Sequence, residues 1–505
     1  MTGILTRGRT GDGGDKPVAV IDVGSNSVRL VVFDGAKRVP IPVFNEKVVC
    51  GLGRGLDATG RLHPKGFSMA VQSLQRFAAL TDAMGVDDIT VFATAAVREA
   101  ADGPQFVAEV AKKCGLAVRP IPGEEEAKLA AFGILSAFPG ADGVMGDLGG
   151  ASVEIVRLRQ GIIAQQATLA MGPIRSPAAG PEAKQTIERH LAGLDWLENA
   201  RGGTFYAVGG SWRALARVHM NHTGYPLLVT HNYVISAAEA LNFSAMIANL
   251  SARSLHDVSG ISRKRVESVP FAAYLLKRLI EETGVANVTF SASGVREGSL
   301  FARLPQAVRD EDPLIAASRD LAWMTGRATA DGDTLYDWMT PMFPDEGERE
   351  ARLRRAACLL ADLEWSEHPD YRVEHALLRI LRYPLVGVDH PGRAFMGLAV
   401  ASRHSRVRKT LHDRFLRRLL DDREAGRARA TGLAMRLGYT VSGGVISLLE
   451  QTALRRVKDD LVLQLPEHAD VLVGDVVQRR FKALAKALEC TPRVEYFKAA
   501  ERISA

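Results

Sequence analysis

The chain has 505 residues, of which 47% are hydrophobic and 24% charged, and its formal net charge is +6. This length suits about three to four domains of ordinary globular composition, and the mild positive charge favours anionic partners. The four cysteines lie far apart without a C-x-x-C pair, and no apolar run is as long as a membrane span, which argues against a disulfide framework, a cysteine-rich zinc site and a transmembrane protein.

The first part of the chain predicts a tail followed by an α/β domain. Residues 1–16 lack the apolar core of a secretory signal, so we expect a disordered tail and a cytoplasmic protein. Strand and helix patterns then alternate over residues 17–138, which indicates an α/β domain. The predicted elements are a hairpin over Pro17–Phe33, strands over Val43–Val49, Asp88–Ala93 and Ala117–Ile121, and helices over Pro64–Met84, Pro104–Cys114 and Glu124–Phe138.

One short pattern occurs twice, over Val20–Val28 and over Met145–Val153. Each copy places an aspartate, Asp22 or Asp147, at the end of an apolar run, a glycine two residues later and a serine three residues beyond that. Apolar residues resume after the turn, so both copies predict a strand, a tight polar turn and a second strand. Backbone N–H groups and hydroxyls in such turns suit a phosphate, and the aspartates suit a divalent cation. The residues of the first turn are Ser25, Asn26 and Ser27.

The second copy opens a region, residues 139–304, that repeats the strand and helix scheme of the first. A charged stretch from Pro305 to Pro313 then indicates a linker. The predicted elements after the second hairpin are helices near Pro181–Leu194, over 236–249 and over 262–283, and strands over Thr204–Val208 and Asn287–Ser291.

Residues 314–505 differ in character, because they are rich in predicted helix and in arginine. The stretch Arg403–Arg436 is dense in basic residues, which form either the solvated face of a core helix or a surface for a polyanion. Short strands are predicted near Leu461–Leu465 and Asp470–Val473. Four apolar residues follow a helical period and predict one apolar face: Val407, Leu411, Phe415 and Leu419.

Four further segments carry residue types suited to phosphate chemistry. Thr94 and Arg98 follow a short apolar strand, at a strand end where open α/β sheets bind ligands. Three glutamates over 124–126 open a helix, where acidic groups also simply complement the helix dipole. The segments 209–211 and 291–298 are glycine-containing turns, each unremarkable by itself.

Together these segments resemble the exopolyphosphatase and guanosine pentaphosphate phosphohydrolase family, within the actin, Hsp70 and sugar-kinase superfamily. The resemblance implies an α/β fold of two duplicated ribonuclease-H-like (actin-like ATPase) domains, residues 17–138 and 139–304, with the active site between them. It further implies a mostly helical HD-like C-terminal domain over residues 314–505. The matching segments are Ile21–Ser27, Thr94–Arg98, Gly123–Ala127, Asp147–Glu154, Gly209–Ser211 and Ser293–Gly298.

The resemblance implies an enzyme that releases terminal orthophosphate from inorganic polyphosphate, or the γ-phosphate from guanosine pentaphosphate, with Mg²⁺. A homodimer is expected, and neither nucleic acid nor membrane is an expected partner. Glu126 matches the family's general base, Arg98 its phosphate-binding arginine, and Asp147 and Glu154 the acidic pair of its second loop. Further phosphate-binding residues expected here are Thr94, Gly149, Gly150, Ser152, Gly209, Gly210 and Ser211.

Elementary chemistry agrees with these roles. Hydrolysis of a phosphoanhydride needs a positioned water, cations on the equatorial oxygens and an in-line leaving group. A carboxylate can deprotonate the water, and an arginine matches the edge of a phosphate. Asp22, Asp147 and Glu154 are hard oxygen ligands of the kind that Mg²⁺ prefers, and we expect them to hold it.

The chain departs from the family pattern at two positions. Ala151 replaces the usual third glycine of the second loop, and its methyl group narrows the backbone choices there. Ala361 precedes Asp362 where HD-like domains carry a metal-binding His-Asp pair. We therefore expect residues 314–505 to be a structural and polyanion-binding domain, although histidines and Asp389 lie nearby in sequence.

Two other functions stay open from the residues alone. A kinase of the same superfamily would need a nucleotide pocket beside Gly209-Gly210 and an acceptor site, whereas the segments around Arg98 and Glu126 favour a phosphatase. A non-enzymatic sensor of alarmones or polyphosphate is the other alternative, and Ala151 and Ala361 point weakly towards it.

Overall fold

The computed structural model of the protein describes residues 16–175, 180–250, 254–255, 266, 268–325, 332–405 and 415–498. It divides into two compact units, Met1–Glu311 and Asp312–Ala505. Within the described ranges, no helix combines the length and the apolarity that crossing a bilayer requires. The predicted tail up to residue 15 and the apolar positions Val407 and Leu411 lie outside the described residues.

The first unit contains two sheets built on one plan. The first has strand order β3-β2-β1-β4-β5 and the second β10-β11-β9-β6-β7-β8, where the strands are β1 Val18–Val23, β2 Ser27–Phe33, β3 Pro42–Val49, β4 Asp88–Ala93, β5 Arg119–Pro120, β6 Gly143–Leu148, β7 Val153–Arg159, β8 Ile162–Leu169, β9 Thr204–Gly209, β10 Tyr233–Ser236 and β11 Asn287–Phe290. In each sheet an antiparallel meander of three strands joins a parallel strand, which is β4 beside β1 and β9 beside β6. The duplicated α/β fold expected from the sequence is therefore present.

The helices of this unit follow the predicted order with a few differences. The strand predicted over Ala117–Ile121 reduces to the two residues of β5, and a helix follows Gly209 directly where the sequence indicated only a turn. Residues 262–265 and 267 of the predicted 262–283 helix lie outside the described residues. The helices are Leu56–Thr59, Pro64–Ala83, Ala95–Glu99, Gly103–Cys114, Gly123–Ala137, Pro181–Leu191, Gly210–His222, Ala237–Ala248, Val269–Thr283, Val295–Phe301 and Gln306–Arg309, with a 3₁₀ helix over Asp195–Ala200.

Two helices that follow parallel strands, Gly123–Ala137 and Val295–Phe301, cross at very short range. A Cβ atom at Gly298 would lie 1.8 Å from the carbonyl oxygen of Leu129, and one at Gly133 would lie 2.2 Å from that of Gly294. Only glycine permits this approach, because any side chain would overlap the opposite backbone. The crossing fixes the first turns of the two helices, which carry Glu126 and Arg296.

The second unit is mainly helical, as predicted, and ends in a small sheet. Its strands, β12 Ala453–Val457, β13 Asp460–Pro466 and β14 Thr491–Phe497, pair in the order β12-β13-β14. The strand predicted over Asp470–Val473 is wrong, because residues 467–472 form a 3₁₀ helix whose Val471 is 79% exposed and has no sheet neighbour. The helices are Pro313–Thr325, Gly332–Met339, Glu348–Leu359, Pro369–Arg382, His390–His404, Asp422–Ser442, Ile446–Leu449 and Asp475–Ala487, with a 3₁₀ helix over Thr340–Met342.

Candidate active site

The two repeated hairpins of the first unit have the same turn geometry. In the first, Gly24 N donates to Ser27 O at 3.0 Å, and in the second Gly149 N donates to Ser152 O at the same distance. The turns also lie close together, since a Cβ at Gly150 would be 3.5 Å from that of Asn26. The predicted phosphate-binding residues of both loops are thus gathered at one place.

Backbone hydrogen bonds from neighbouring segments hold both loops in place. The carbonyl of Asn26 accepts from Cys50 N at 3.0 Å and from Gly51 N at 2.9 Å, and Ile174 N donates to Gly150 O at 2.9 Å. Ala151 does not have a positive φ, so its backbone conformation is open to any residue. The glycine that is usual at this position is therefore dispensable here for backbone conformation.

Arg98 and Glu126 form an ion pair beside the loops. The short helix Ala95–Glu99 begins directly after β4, and Thr94 N donates to Val23 O at 3.2 Å, which ties this strand end to the first loop. Arg98 Nη1 lies 3.1 Å from Glu126 Oε2 and donates to the carbonyl of Ile121 at 2.9 Å. Both side chains are therefore held in place before any substrate binds.

Four carboxylates of this site are close enough to influence one another's ionisation. Burial, together with the charges of Asp147 and Asp22, raises the pKa of Glu126 to about 7, although the hydrogen bond and charge of Arg98 oppose the rise. Burial raises the pKa of Asp147 to about 6. Burial and the charges of Glu126 and Asp147 raise the pKa of Glu154 well above its ordinary value. Burial is the largest cause of each of these shifts, so the ionised forms of these carboxylates are poorly solvated in this site.

Gly209, Gly210 and Ser211 lie where β9 meets a helix. Gly209 has a φ of 109°, and a Cβ there would lie 2.4 Å from the carbonyl oxygen of Leu148, so a side chain would be strained and crowded. Gly210 and Ser211 begin the helix Gly210–His222, whose N-terminal N–H groups favour an anion. The Ser211 hydroxyl donates to Ser268 Oγ at 3.1 Å.

The residues of the second hairpin fit a magnesium ion. Asp147 and Glu154 are direct cross-strand partners, and like charges placed so are unfavourable without a cation. Glu154 is 1% exposed, and its Oε1 has no hydrogen-bond partner among the residues that the structure describes, which is an unusual state for a buried carboxylate oxygen. Among the described residues, no three of the site's carboxylates bring oxygens within 4.8 Å of one another. Mg²⁺ commonly takes only one or two carboxylates and completes its shell with phosphate and water.

Asp22 has a different environment from the other predicted metal ligands. Its Oδ2 accepts from Arg296 Nη1 at 3.2 Å. Burial raises the pKa of Asp22, while the charges of Arg296, Arg29 and Lys47 act against the rise. Asp22 is therefore engaged by protein cations, unlike Asp147 and Glu154, which face each other across the strands.

Two protein-family models match most of the chain. Residues 30–307 match the Ppx/GppA phosphatase family, and residues 314–492 match the exopolyphosphatase C-terminal domain. The chain belongs to the Ppx/GppA phosphatase family. This confirms the resemblance seen in the sequence and makes the chain a hydrolase of phosphoanhydride bonds.

Individual relatives cover one or both parts of the chain. Retrograde regulation protein 2 of Saccharomyces cerevisiae is 25% identical over 435 residues, which are 76% of this chain and 72% of the yeast protein. Exopolyphosphatase 2 of Mycobacterium tuberculosis is 25% identical over 308 residues, 56% of this chain and 96% of its own. The crystal structure of an exopolyphosphatase from Cytophaga hutchinsonii has the same fold, with a TM-score of 0.52 at 22% identity, over 57% of this chain and 97% of that one.

Three arginines of this phosphatase site had no role in the sequence-based prediction. Arg296 lies between the two hairpins, on Asp22, and its charge also acts on Asp147. The charge of Arg213 lowers the pKa of Asp147, although burial dominates. Arg175 donates from Nε to the carbonyl of Ala151 at 2.7 Å and also pairs with Asp57 and Glu99 of the first half. Only Arg296 lay inside a family-like segment, so it alone had a sequence signal.

In the C-terminal unit, Asp362 is paired with an arginine. Asp362 forms an ion pair with Arg403, and His404 Nε2 lies 3.0 Å from the carbonyl oxygen of Leu363. Across the part of the chain that the structure describes, one group could hold a metal by proximity, and it is the part-exposed set of Glu364, Glu367 and His375. An arginine therefore faces the aspartate of the altered His-Asp pair.

Proposed function

We propose that this phosphatase is an exopolyphosphatase that releases the terminal orthophosphate of inorganic polyphosphate, with guanosine pentaphosphate as a second substrate. The observation that carries the proposal is the Arg98–Glu126 pair, held 3.1 Å apart beside two matched phosphate-type loops. Relatives named as exopolyphosphatases support polyphosphate as the substrate. Homodimer formation and a cytoplasmic location stay predictions from the sequence.

In this proposal the two loops bind the terminal phosphoryl group. Backbone N–H groups and the hydroxyls of Ser25, Ser27 and Ser152 would surround its oxygens, while the helix that begins at Gly210 would face the chain from the second half. Thr94 lies at the end of β4, where it can add a hydroxyl. Arg98 would contact an equatorial oxygen, where its fork neutralises charge that develops in the transition state.

Glu126 would act as the general base. Its pKa of about 7 lies near neutral pH, where a base is both substantially ionised and strong enough to accept a proton. It is 6% exposed, so the attacking water would be held in a site largely closed to solvent. The proton would pass from that water to a Glu126 carboxylate oxygen as the water oxygen attacks phosphorus.

Asp147 and Glu154 would hold Mg²⁺ in this site. The ion would supply positive charge that offsets the oxygens of the transferred and leaving phosphates. Arg296 would keep Asp22 ionised and fixed at the first loop, and Arg213 would stabilise the ionised form of Asp147. These arginines would act on the carboxylates rather than on the substrate.

A regulatory sensor is the second candidate. The observation in its favour is the yeast relative, which is named for regulation and matches 76% of this chain, including much of the C-terminal unit. Arg98, Glu126, Asp147 and Glu154 are all present, however, and a sensor that does not hydrolyse its ligand has no need of the whole set. The phosphatase is therefore the better supported function.

One experiment separates these functions. Phosphate release would be measured from long-chain polyphosphate and from guanosine pentaphosphate, with Mg²⁺ and with EDTA, for the wild type and for Glu126→Gln. We expect Mg²⁺-dependent release from polyphosphate that the variant lacks. Tight binding of either substrate without release, in both proteins, would favour the sensor.

A further inference from the structure

An arginine cluster in the C-terminal unit is separate from all the residues discussed for catalysis. It comprises Arg403, Arg436 and Arg480, from the three helices His390–His404, Asp422–Ser442 and Asp475–Ala487. The sequence alone leaves the basic stretch over 403–436 open between a solvated helix face and a polyanion surface. Arg403 and Arg436 belong to this stretch, and Arg480 joins them from a later helix.

Arg403 is fixed in an enclosed position. It pairs with Asp362, and both side chains are less than 10% exposed. Its guanidinium carbon lies 3.9 Å above the centroid of the Tyr439 ring, a cation–π arrangement, and its Nη1 lies 3.1 Å from His404 Nδ1. The contacts with Asp362, Tyr439 and His404 therefore hold the Arg403 guanidinium in one position.

Arg436 and Arg480 meet on one face of the Asp422–Ser442 helix. Arg436, Tyr439 and Thr440 are spaced i, i+3 and i+4, which places their side chains side by side. Thr440 Oγ1 donates to the carbonyl of Arg436 at 2.6 Å and accepts from Arg480. Both arginines are half-buried.

The cluster carries positive charge without matching acid. Asp362 offsets one charge, that of Arg403. Within the described ranges, neither Arg436 nor Arg480 forms an ion pair, so two positive charges are left over. Burial and the charges of Arg436, Arg479 and Arg403 lower the pKa of Arg480, and burial with the charges of Arg403, Arg372 and Arg436 lowers that of His404 to about 3. The guanidinium groups thus repel one another in a partly desolvated place, which an anion would relieve.

We propose that Arg403, Arg436 and Arg480 form a binding site for a phosphate group of a phosphoanhydride chain, distinct from the active site. Two uncompensated guanidinium charges match the terminal phosphate dianion of such a chain or two neighbouring internal phosphates, and each offers a donor fork that suits phosphate oxygens. Free orthophosphate has the same chemistry. The choice of a chain rests on the proposed function, because the substrate would supply it at high local concentration.

Binding to the full-length protein tests this site directly. The probes are inorganic phosphate and a methylene-bridged tripolyphosphate, which cannot be hydrolysed at its bridges, in calorimetric titrations at low and at high salt. We expect the wild type to bind the bridged probe at one more site than R436Q/R480Q does, or with at least about tenfold higher affinity there. Weaker binding of inorganic phosphate at the same site would identify the chain as the ligand, and equal or tighter binding of inorganic phosphate would overturn that choice.

The control variants are K482Q and R436K/R480K. Lys482 is exposed on the same helix as Arg480, so K482Q removes one positive charge outside the cluster, as many as R436Q removes within it. We expect K482Q to bind as the wild type does and R436K/R480K to retain part of the affinity. If K482Q lost as much as R436Q/R480Q, or if R436Q/R480Q lost nothing, the cluster would not be a site.

R436Q alone gives the answer if the double variant misfolds, because the Arg436 guanidinium makes no hydrogen bond or ion pair within the described residues. The readout is binding of a probe that is not turned over, so it stands even if the protein released no phosphate from polyphosphate. Conversely, kcat on tripolyphosphate should stay within about twofold of wild type in R436Q/R480Q.

Discussion

The two repeated hairpins of the first unit share a backbone and differ in the charge that faces their aspartates. Both turns are closed by a glycine N–H that donates to a serine carbonyl at 3.0 Å. Across the strands, Asp22 faces Arg29, whereas Asp147 faces Glu154. One hairpin thus pairs its acid with a cation, and the other places the half-buried Asp147 opposite the buried Glu154.

Because of this difference, the aspartates of the two hairpins offer different environments to a metal ion. Asp22 lies among protein cations, Arg29, Lys47 and Arg296, and so has less need of a metal. Asp147 and Glu154 are neighbouring acids whose ionised forms are poorly solvated, and a divalent cation would stabilise those forms. The same turn occurs in both hairpins, and under the proposed function the residue on the opposite strand, Arg29 or Glu154, determines which hairpin would hold a metal.

The largest expected effect is that of Glu126→Gln, which removes the base from the acidic half while keeping its shape. We expect kcat for polyphosphate to fall about 10²–10⁴-fold with KM nearly unchanged, because only proton transfer is lost. Steady-state kinetics at saturating Mg²⁺ provide the measurement. A variant that keeps more than about a third of the wild-type kcat would show that Glu126 is not the base, and Glu154 would then be the next candidate.

The comparison of the hairpins is tested most directly by Glu154→Gln against Asp22→Asn. We expect Glu154→Gln to raise the Mg²⁺ concentration for half-maximal activity by about 10–100-fold, and Asp22→Asn to raise it by much less. Both variants remove one negative charge from the cross-strand pair that flanks a phosphate-type turn, Asp22–Arg29 in one hairpin and Asp147–Glu154 in the other, so each is the control for the other. Equal shifts, or a larger shift in Asp22→Asn, would mean that the first hairpin holds the metal.

The sequence predicted the repeated hairpins well because their information is local. An apolar run, an aspartate and a glycine turn recur at fixed spacing, and the structure gives both copies the same turn. The strands β8 and β10 had no such signal. β8 contains Gln165 and Gln166, and only Leu169 at its end is buried, so it lacks the alternation of apolar and polar residues that marks a half-buried strand.

Ion pairs between residues that lie far apart in the chain could not be predicted from the sequence. Asp22 was assigned to metal on its residue type, but its partner Arg296 lies 274 residues away in sequence. Arg296 lies on the helix Val295–Phe301, which is held against the helix Gly123–Ala137 by the close contacts at Gly133 and Gly298, and the sequence carries no local signal of this packing. The same holds for Asp362, whose partner Arg403 follows 41 residues later.

A smaller effect is expected on stability, through the raised pKa values of the acidic half. Glu126 has a folded pKa of about 7 and Asp147 one of about 6, both above their unfolded values, so the folded state binds more protons between roughly pH 4 and 7. The stability contribution of these groups is therefore largest at low pH and is lost as pH rises through the folded pKa values.

We expect bound Mg²⁺ to restore the stability that is lost as the pH rises. We expect saturating Mg²⁺ to raise Tm by about 2–4 °C at pH 7.5 and by little at pH 5, where protons already neutralise the carboxylates. Thermal unfolding of the wild type and of Glu154→Gln, each with Mg²⁺ and with EDTA, makes the measurement. The variant should show a smaller rise at pH 7.5, and a rise independent of pH would disconnect the metal from these groups.

The smallest expected effect comes from Arg175, which joins the two halves at the second loop. Its Nε donates to the carbonyl of Ala151 at 2.7 Å, and its other nitrogens pair with Asp57 and Glu99 of the first half. Glu99 also lies 3.6 Å from Arg98, so its release from Arg175 would let it compete for the Arg98 guanidinium.

We expect Arg175→Gln to raise KM for polyphosphate about threefold and to lower kcat slightly, since Asp57 and Glu99 are part-exposed and such pairs are weak. Arg303→Gln is the matched control. Arg303 also pairs across the halves, with Asp88 at the start of β4, but it touches neither loop. An equal rise of KM in Arg303→Gln would show that general contact between the halves matters. A rise in Arg175→Gln alone, abolished when Glu99→Gln is added, would show that Arg175 positions the loop and keeps Glu99 away from Arg98.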